Sequence, residues 1–178
     1  VEEKMSEVLE IKGESYSLVY GESDLPKILS LLVPFFPKQS LIGLDGNLGA
    51  GKTSFVRALC HALSIKDFVS SPTYVLEHRY EGIGDEEDTI LIRHWDLYRL
   101  RVEDEETIQN IISFSDSVDK EIVCIEWIER FPVLYENLFL HIDLNFFKDN
   151  ENLRQLTISG KGVETKMIEL VRKTFVFN

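Results

Sequence analysis

The sequence predicts an α/β fold of three layers, with a mixed, mostly parallel sheet and antiparallel strands at its edges. Three observations lead there. Short apolar runs alternate with stretches of helical period along the chain. The runs 40–44 and 121–127 hold four successive apolar residues each, 41–44 and 122–125, as strands covered on both faces must. A Gly-rich turn joins the first of these runs to an amphipathic helix. The 178 residues suit one domain spanning 1–178, with residues 1–12 expected as a flexible N-terminal segment.

Taken in order, residues 15–20 alternate as a short strand. Ser23 is placed to cap a helix that carries Pro26 in its first turn and turns Ile28, Leu29 and Leu32 inward, until Pro34 and Pro37 end it. After the strand 40–44 and the Gly-rich turn, a helix from about Gly51 to Leu63 presents Phe55, Val56 and Leu59 to the core. Strands over 73–80 and 89–97, joined by a charged loop with Gly82 and Gly84, read as an antiparallel pair. A helix over 103–112 with Ile108, Ile111 and Ile112 inward follows, then the buried strand 121–127. Strands over 137–146 and 153–159 form a hairpin, and a helix over 162–173 closes the fold.

Composition narrows the function. With 19 Lys and Arg against 31 Asp and Glu, the formal charge is −12, and no window holds the basic cluster that contact with nucleic-acid phosphates relies on. The acidic blocks 84–88 and 103–106 read as a solvated loop and a helix N-terminus. Cys60 and Cys124 lie in apolar segments and read as buried hydrophobes of a reducing compartment. No apolar run reaches the roughly 18 residues of a membrane span. The acidic start lacks a secretory h-region, and Met5 is a candidate native start. The expected location is the cytoplasm.

One stretch is much more specific. Gly46-Asn47-Leu48-Gly49-Ala50-Gly51-Lys52-Thr53 fits G-x-x-x-x-G-K-[ST], between a buried strand and a helix. A triphosphate needs several converging donors and little steric bulk. Glycines 46, 49 and 51 let backbone N–H groups point inward, and the helix start adds its positive dipole end. Lys52 suits the β- and γ-phosphates and the Thr53 hydroxyl suits Mg²⁺. The motif thus implies ATP or a related nucleotide with Mg²⁺, and a fold of the P-loop NTPase type. Such a site also needs carboxylates at strand ends. Asp96 and Glu126 each close an apolar strand, Glu126 with the stronger Walker-B pattern. Ser70-Ser71-Pro72-Thr73 suits a loop whose hydroxyls sense the terminal phosphate, with Thr73 entering a strand from the turn that Pro72 stiffens.

The ordered motifs Gly46–Thr53, Ser70-Ser71-Pro72-Thr73-Tyr74, His94-Trp95-Asp96-Leu97-Tyr98-Arg99 and Ile125-Glu126-Trp127 resemble the bacterial TsaE (YjeE) family of P-loop ATPases. Members typically show G-D-L-G-A-G-K-T, S-P-T-[FY], H-[FML]-D-L-Y-R and a strand ending in E-W. The resemblance runs from about Leu41 to Trp127. It implies a slow ATPase needed for threonylcarbamoyladenosine at position 37 of tRNA, acting with a threonylcarbamoyl transferase subunit and its inactive paralogue, proteins of the TsaD and TsaB type. Carried over, the nucleotide-binding set is Gly46, Asn47, Leu48, Gly49, Ala50, Gly51, Lys52, Thr53 and Ser54, with Trp127 close by. Thr53, Asp96 and Glu126 would serve the metal, and Asp96, Glu126 and the switch-loop hydroxyl of Thr73 the reaction. The chain departs from the pattern at Asn47, Ser54 and Trp95. It also has no Gly between Gly84 and Gly160, so no site residue is carried over from 105–118.

Other classes share parts of this pattern. A P-loop small-molecule kinase has the same loop and strand-terminal acids, but no basic lid segment follows Trp127. A GTPase would need N-K-x-D or T-K-x-D, and neither occurs. A module that binds nucleotide without hydrolysing it stays open. The four His residues show no metal-ligand spacing and read as structural or exposed, with a catalytic part left open for His94, two residues before Asp96.

Overall fold

The computed structural model describes residues 8–12, 15–84, 87–100, 104–148 and 150–175. Twelve regular elements follow one another: β1 (Val8–Lys12), β2 (Ser15–Gly21), α1 (Leu25–Leu32), β3 (Gln39–Asp45), α2 (Lys52–Ala62), β4 (Glu77–Ile83), β5 (Thr89–Asp96), α3 (Glu105–Ile112), β6 (Lys120–Glu126), β7 (Leu140–Phe147), β8 (Asn150–Ser159) and α4 (Thr165–Phe175). They build one eight-stranded sheet in the order β1-β2-β8-β7-β3-β6-β5-β4. The four central strands β7, β3, β6 and β5 run parallel, and antiparallel strands flank them on both sides. The expected mixed sheet with antiparallel edges is thus present.

Both faces of β3 and β6 are covered, which is why they read as continuous apolar runs, whereas β7 alternates buried and half-buried residues. Ile42, Leu44, Ile122 and Cys124 pack on the side of α1, α2 and α4, with Phe55, Val56 and Leu59 of α2 wholly buried against them. Leu41, Val123 and Ile125 face the other way, toward Ile111 of α3, toward Ile128 and Leu134 in two 3-10 segments, Ile128–Arg130 and Pro132–Asn137, and toward Phe131 between them. Each such side chain taken from water contributes about 1.5–3 kcal/mol. Three layers result. Cys60 and Cys124 are free and buried, and burial pushes the Cys60 thiol up to about 12, out of the range of a reactive thiolate.

Several boundaries differ from the sequence reading. Residues 8–12 of the expected N-terminal segment pair with β2 as a strand, and residues 1–7 lie outside the described residues. Asp24, not Ser23, stands at the N-cap of α1, because its Oδ2 accepts from the Gly21 N–H at 2.9 Å and winds 22–24 into a 3-10 turn first. The strand expected from 73 begins only at Glu77. The Pro72 carbonyl accepts from both Val75 N (2.9 Å) and Leu76 N (2.8 Å), so Thr73 lies in a turn rather than in a strand. Helix α3 starts at Glu105 behind the N-cap Asp104, which accepts from Thr107 N at 3.2 Å; Glu103, like Asp85 and Glu86 of the other acidic block, falls outside the described residues. Trp127 is not part of β6.

Candidate nucleotide site

The carboxyl ends of β3, β5 and β6 lie side by side, and each delivers one part of the site. Pairing aligns Leu44 with Glu126 and Asp96 with Glu126 across adjacent parallel strands. The two acids therefore stand next to each other where the phosphate loop leaves β3. This is the edge of an α/β sheet at which ligands gather.

The loop itself depends on glycine at its first position. Gly46 has φ +132°, and a Cβ there would come within 2.0 Å of the Leu144 carbonyl oxygen of β7. Gly49 and Gly51 also have positive φ, and Gly51 forms the N-cap of α2. Gly46→Ala is expected to destabilise the fold by about 2 kcal/mol, from backbone strain and the clash together. Urea denaturation of the purified variant checks it, and an unchanged midpoint would rule out the close approach.

Lys52 is buried, with 5% of its surface exposed. Its Nζ donates to the carbonyls of Gly46 (2.6 Å) and Asn47 (3.1 Å) and lies 3.7 Å from the centroid of the Trp127 ring. Burial draws its pKa below the ordinary lysine value, opposed by the nearby carboxylates of Glu126, Asp96 and Asp45. A cation kept this poor in solvent and held mostly by neutral groups is well suited to an arriving anion. Trp127, which forms the floor under it, has φ 61° and ψ 41° and packs on Tyr98 with ring centroids 5.1 Å apart.

The acids are tied down by different partners. Glu126 Oε1 accepts from Thr53 Oγ1 at 2.7 Å, and His94 Nε2 lies 2.8 Å from the same oxygen. Asp96 Oδ2 accepts from the Thr73 hydroxyl and from Ser71 Oγ (3.3 Å), while Oδ1 accepts from Tyr98 N (2.9 Å). The Ser71 and Thr73 hydroxyls are themselves 2.6 Å apart. So the turn that shortened β4 brings Thr73 onto Asp96.

Together these groups line a cleft of about 280 Å³, bounded by Leu48, Gly49, Gly51, Lys52, Thr53, Ser54, Ser71, Thr73, Asp96, Glu126 and Trp127. Of the sequence-derived set, Gly46 and Asn47 act on it through carbonyls that hold Lys52, and Ala50 is buried beneath the loop. Leu48 is 85% exposed at the rim. The chemistry of these donors fits a magnesium nucleotide: backbone and ammonium donors for phosphate, and a hydroxyl with two carboxylates for a hard divalent cation.

Three residues were left without a definite role by the sequence reading. Ser71 went unassigned although it stands in the same short motif as Thr73. His94 was read as structural or exposed, with a catalytic part considered from its place two residues before Asp96 and hence on the same strand face; its ring meets Glu126. Asp45, the last residue of β3, is buried and accepts from Glu129 N (3.0 Å) and Tyr135 Oη (2.7 Å), with His141 Nε2 at 2.8 Å. A carboxylate closing an apolar strand just before Gly46 was visible in the sequence; its partners, up to 96 residues away, were not.

Burial alone would raise the Asp45 pKa, but the hydrogen bonds from His141, Tyr135 and the Glu129 N–H outweigh it and hold the carboxyl below its ordinary value. Such a group stabilises the fold above the unfolded carboxylate value of about 3.9, and the contribution is lost as pH falls through the folded value. Asp45→Asn is therefore expected to lose less stability than the parent chain on acidification below about pH 5. Urea midpoints of both proteins across that range test this, and parallel curves would remove Asp45 from the acid response.

Among the described residues no helix is long and apolar enough to cross a membrane. A family model described as threonylcarbamoyl adenosine biosynthesis protein TsaE matches residues 20–168. The chain is 34% identical over 126 residues to a tRNA threonylcarbamoyladenosine biosynthesis protein TsaE of Streptomyces coelicolor, covering 68% of this chain and 80% of that one. It is 26% identical over 162 residues to the protein of that name from Rickettsia felis, covering 90% and 89%. A crystal structure of Bacillus subtilis YdiB has a similar fold, with a TM-score of 0.59 over 92% of this chain and 96% of that one at 17% identity. The matched span takes in the Gly46–Thr53 loop, both strand-terminal acids and the turn at Pro72, and the chain belongs to the TsaE family of threonylcarbamoyl adenosine biosynthesis proteins.

Proposed function

We propose that this protein binds and hydrolyses ATP with Mg²⁺, as a single phosphate-loop domain acting in the cytoplasm. By that activity it would support threonylcarbamoyladenosine formation at position 37 of tRNA through a partner complex of the TsaD and TsaB type. The observation that carries this reading is the convergence of Lys52, Thr53, Asp96 and Glu126 on one cleft around a loop of positive-φ glycines.

Each residue then has a definite task. Lys52 exchanges the Gly46 and Asn47 carbonyls for phosphate oxygens. Thr53 would turn its hydroxyl from Glu126 Oε1 to the metal, and the other carboxylate oxygen of Glu126 would orient a water. Asp96, held by Ser71, Thr73 and Tyr98 N, supports the metal shell. Mg²⁺, when bound, neutralises charge on the terminal phosphates. The loop from Ser71 to Leu76 links terminal-phosphate occupancy to the exposed Tyr74, over whose ring Arg99 lies at 4.4 Å.

The decisive test measures hydrolysis by the full chain with and without the partner complex, alongside threonylcarbamoyladenosine in bulk tRNA after depletion. The expected results are stimulation by the complex and a fall in the modified nucleoside. Unchanged modification would end the pathway assignment. The −12 charge adds a further expectation: association with the complex involves a basic partner surface and weakens as salt rises. Affinity unaffected between low and high salt would count against it.

A further inference from the structure

An imidazole is an expensive thing to bury without need. His94 has no exposed surface; strand pairing sets it opposite Cys124, and its ring centroid lies 6.2 Å from that of Tyr80. It lies behind Glu126 and does not line the cleft. Among the described residues its one hydrogen-bonding contact is Nε2 to Glu126 Oε1 at 2.8 Å, and Nδ1 is buried with no partner among them.

These two facts assign the tautomer. Nε2 donates when it meets a carboxylate oxygen, and the form with its hydrogen on Nε2 alone leaves Nδ1 a lone pair and no N–H without a partner. A buried lone pair is a cheaper orphan than a buried, unpaired N–H. Oε1 of Glu126 thus receives two hydrogen bonds, from His94 and from Thr53. Once the Thr53 hydroxyl turns to a metal, only the His94 bond is left on that oxygen.

We propose that His94 is a positioning residue: its Nε2–H clamps Oε1 of Glu126 so that the other carboxylate oxygen is aimed into the cleft throughout turnover. The role rests on the hydrolysis reading above and acts wholly through Glu126. Nucleotide affinity, set by the loop and Lys52, is independent of it. Gln can present its amide N–H where Nε2–H stands, whereas Met fills the space and donates nothing.

The test compares the full-length parent chain, His94→Met, His94→Gln, Glu126→Gln and the His94→Met/Glu126→Gln double variant, each with the partner complex. Readouts are kcat and KM for ATP and the Kd of Mg-ADP. Expected are a kcat about 10-fold lower for His94→Met with KM and Kd within about twofold, and recovery to within about threefold of the parent in His94→Gln. The double variant is expected to be no slower than Glu126→Gln. A parent-like rate in His94→Met overturns the proposal, as does a folded His94→Gln that is as slow as His94→Met. Multiplication of the two single effects in the double variant does the same. Should His94→Met not fold, imidazole ¹H–¹⁵N spectra of the parent decide: a proton on Nε2 that shifts in Glu126→Gln supports the clamp, and a bare Nε2 overturns it. A parent chain that neither binds nor hydrolyses ATP brings down the hydrolysis reading and the clamp together. Slow Glu126→Gln beside fast His94→Met brings down the clamp alone.

Discussion

Lys52→Ala is expected to weaken ATP binding about 10²-fold and to abolish support of tRNA modification. Hydrogen bonds to charged groups are worth about 1.5–3 kcal/mol each, and tenfold in affinity is about 1.4 kcal/mol. Losing one or two such bonds to phosphate therefore gives that factor. The lysine is prepared for the exchange: it is nearly buried, shifted toward easier deprotonation, and bonded to two carbonyls that can return to neighbouring donors or water. Lys52→Arg is not expected to rescue, because a planar guanidinium cannot occupy the space between two loop carbonyls and the Trp127 ring as a compact ammonium does. Calorimetric titration with ATP measures the effect, with thermal unfolding as a check on folding. Affinity in Lys52→Ala within a few-fold of the parent would remove this loop as the phosphate site.

Glu126→Gln is expected to lower kcat by about 10²-fold or more while leaving nucleotide affinity within a few-fold. The amide keeps the volume and an oxygen able to accept from Thr53 and His94, so only the charge and basicity at the cleft are lost. Asp96→Asn is expected to act in the same direction, since Tyr98 N and the turn hydroxyls still hold the side chain. Single-turnover hydrolysis beside Mg-ADP binding separates the two effects. Equal turnover in the parent chain and both carboxylate variants would sink the catalytic assignment and favour a module that binds nucleotide without hydrolysing it.

What could be read from the sequence follows the range of the interactions involved. The loop from Gly46 to Thr53 was legible because its chemistry is local: glycines that permit positive φ, a lysine and a hydroxyl at fixed spacing, all between one strand and one helix. Asp96 and Glu126 were legible as strand-terminal acids, but their adjacency depends on the β5–β6 register, which pairs them across the sheet. The start of β4 was misread because Pro72 does more than fix its own φ. Its carbonyl gathers two later N–H groups and delays the strand by four residues, which is what delivers Thr73 to Asp96. His94 with Glu126, and Asp45 with Tyr135 and His141, join residues 32 to 96 positions apart. Periodicity placed His94 in a strand, but only the folded sheet shows which acid its ring meets.

The left-handed backbone at Trp127 has one more consequence. A bulky residue in that conformation costs about 1–2 kcal/mol relative to glycine, which adopts it freely. An engineer seeking a hardier protein would find Trp127→Gly attractive on backbone grounds alone. The same change strips the aromatic platform from under Lys52 and leaves Tyr98 without its ring partner. Durability and ligand readiness pull in opposite directions at this position. The chain keeps the aromatic ring and tolerates the strained backbone.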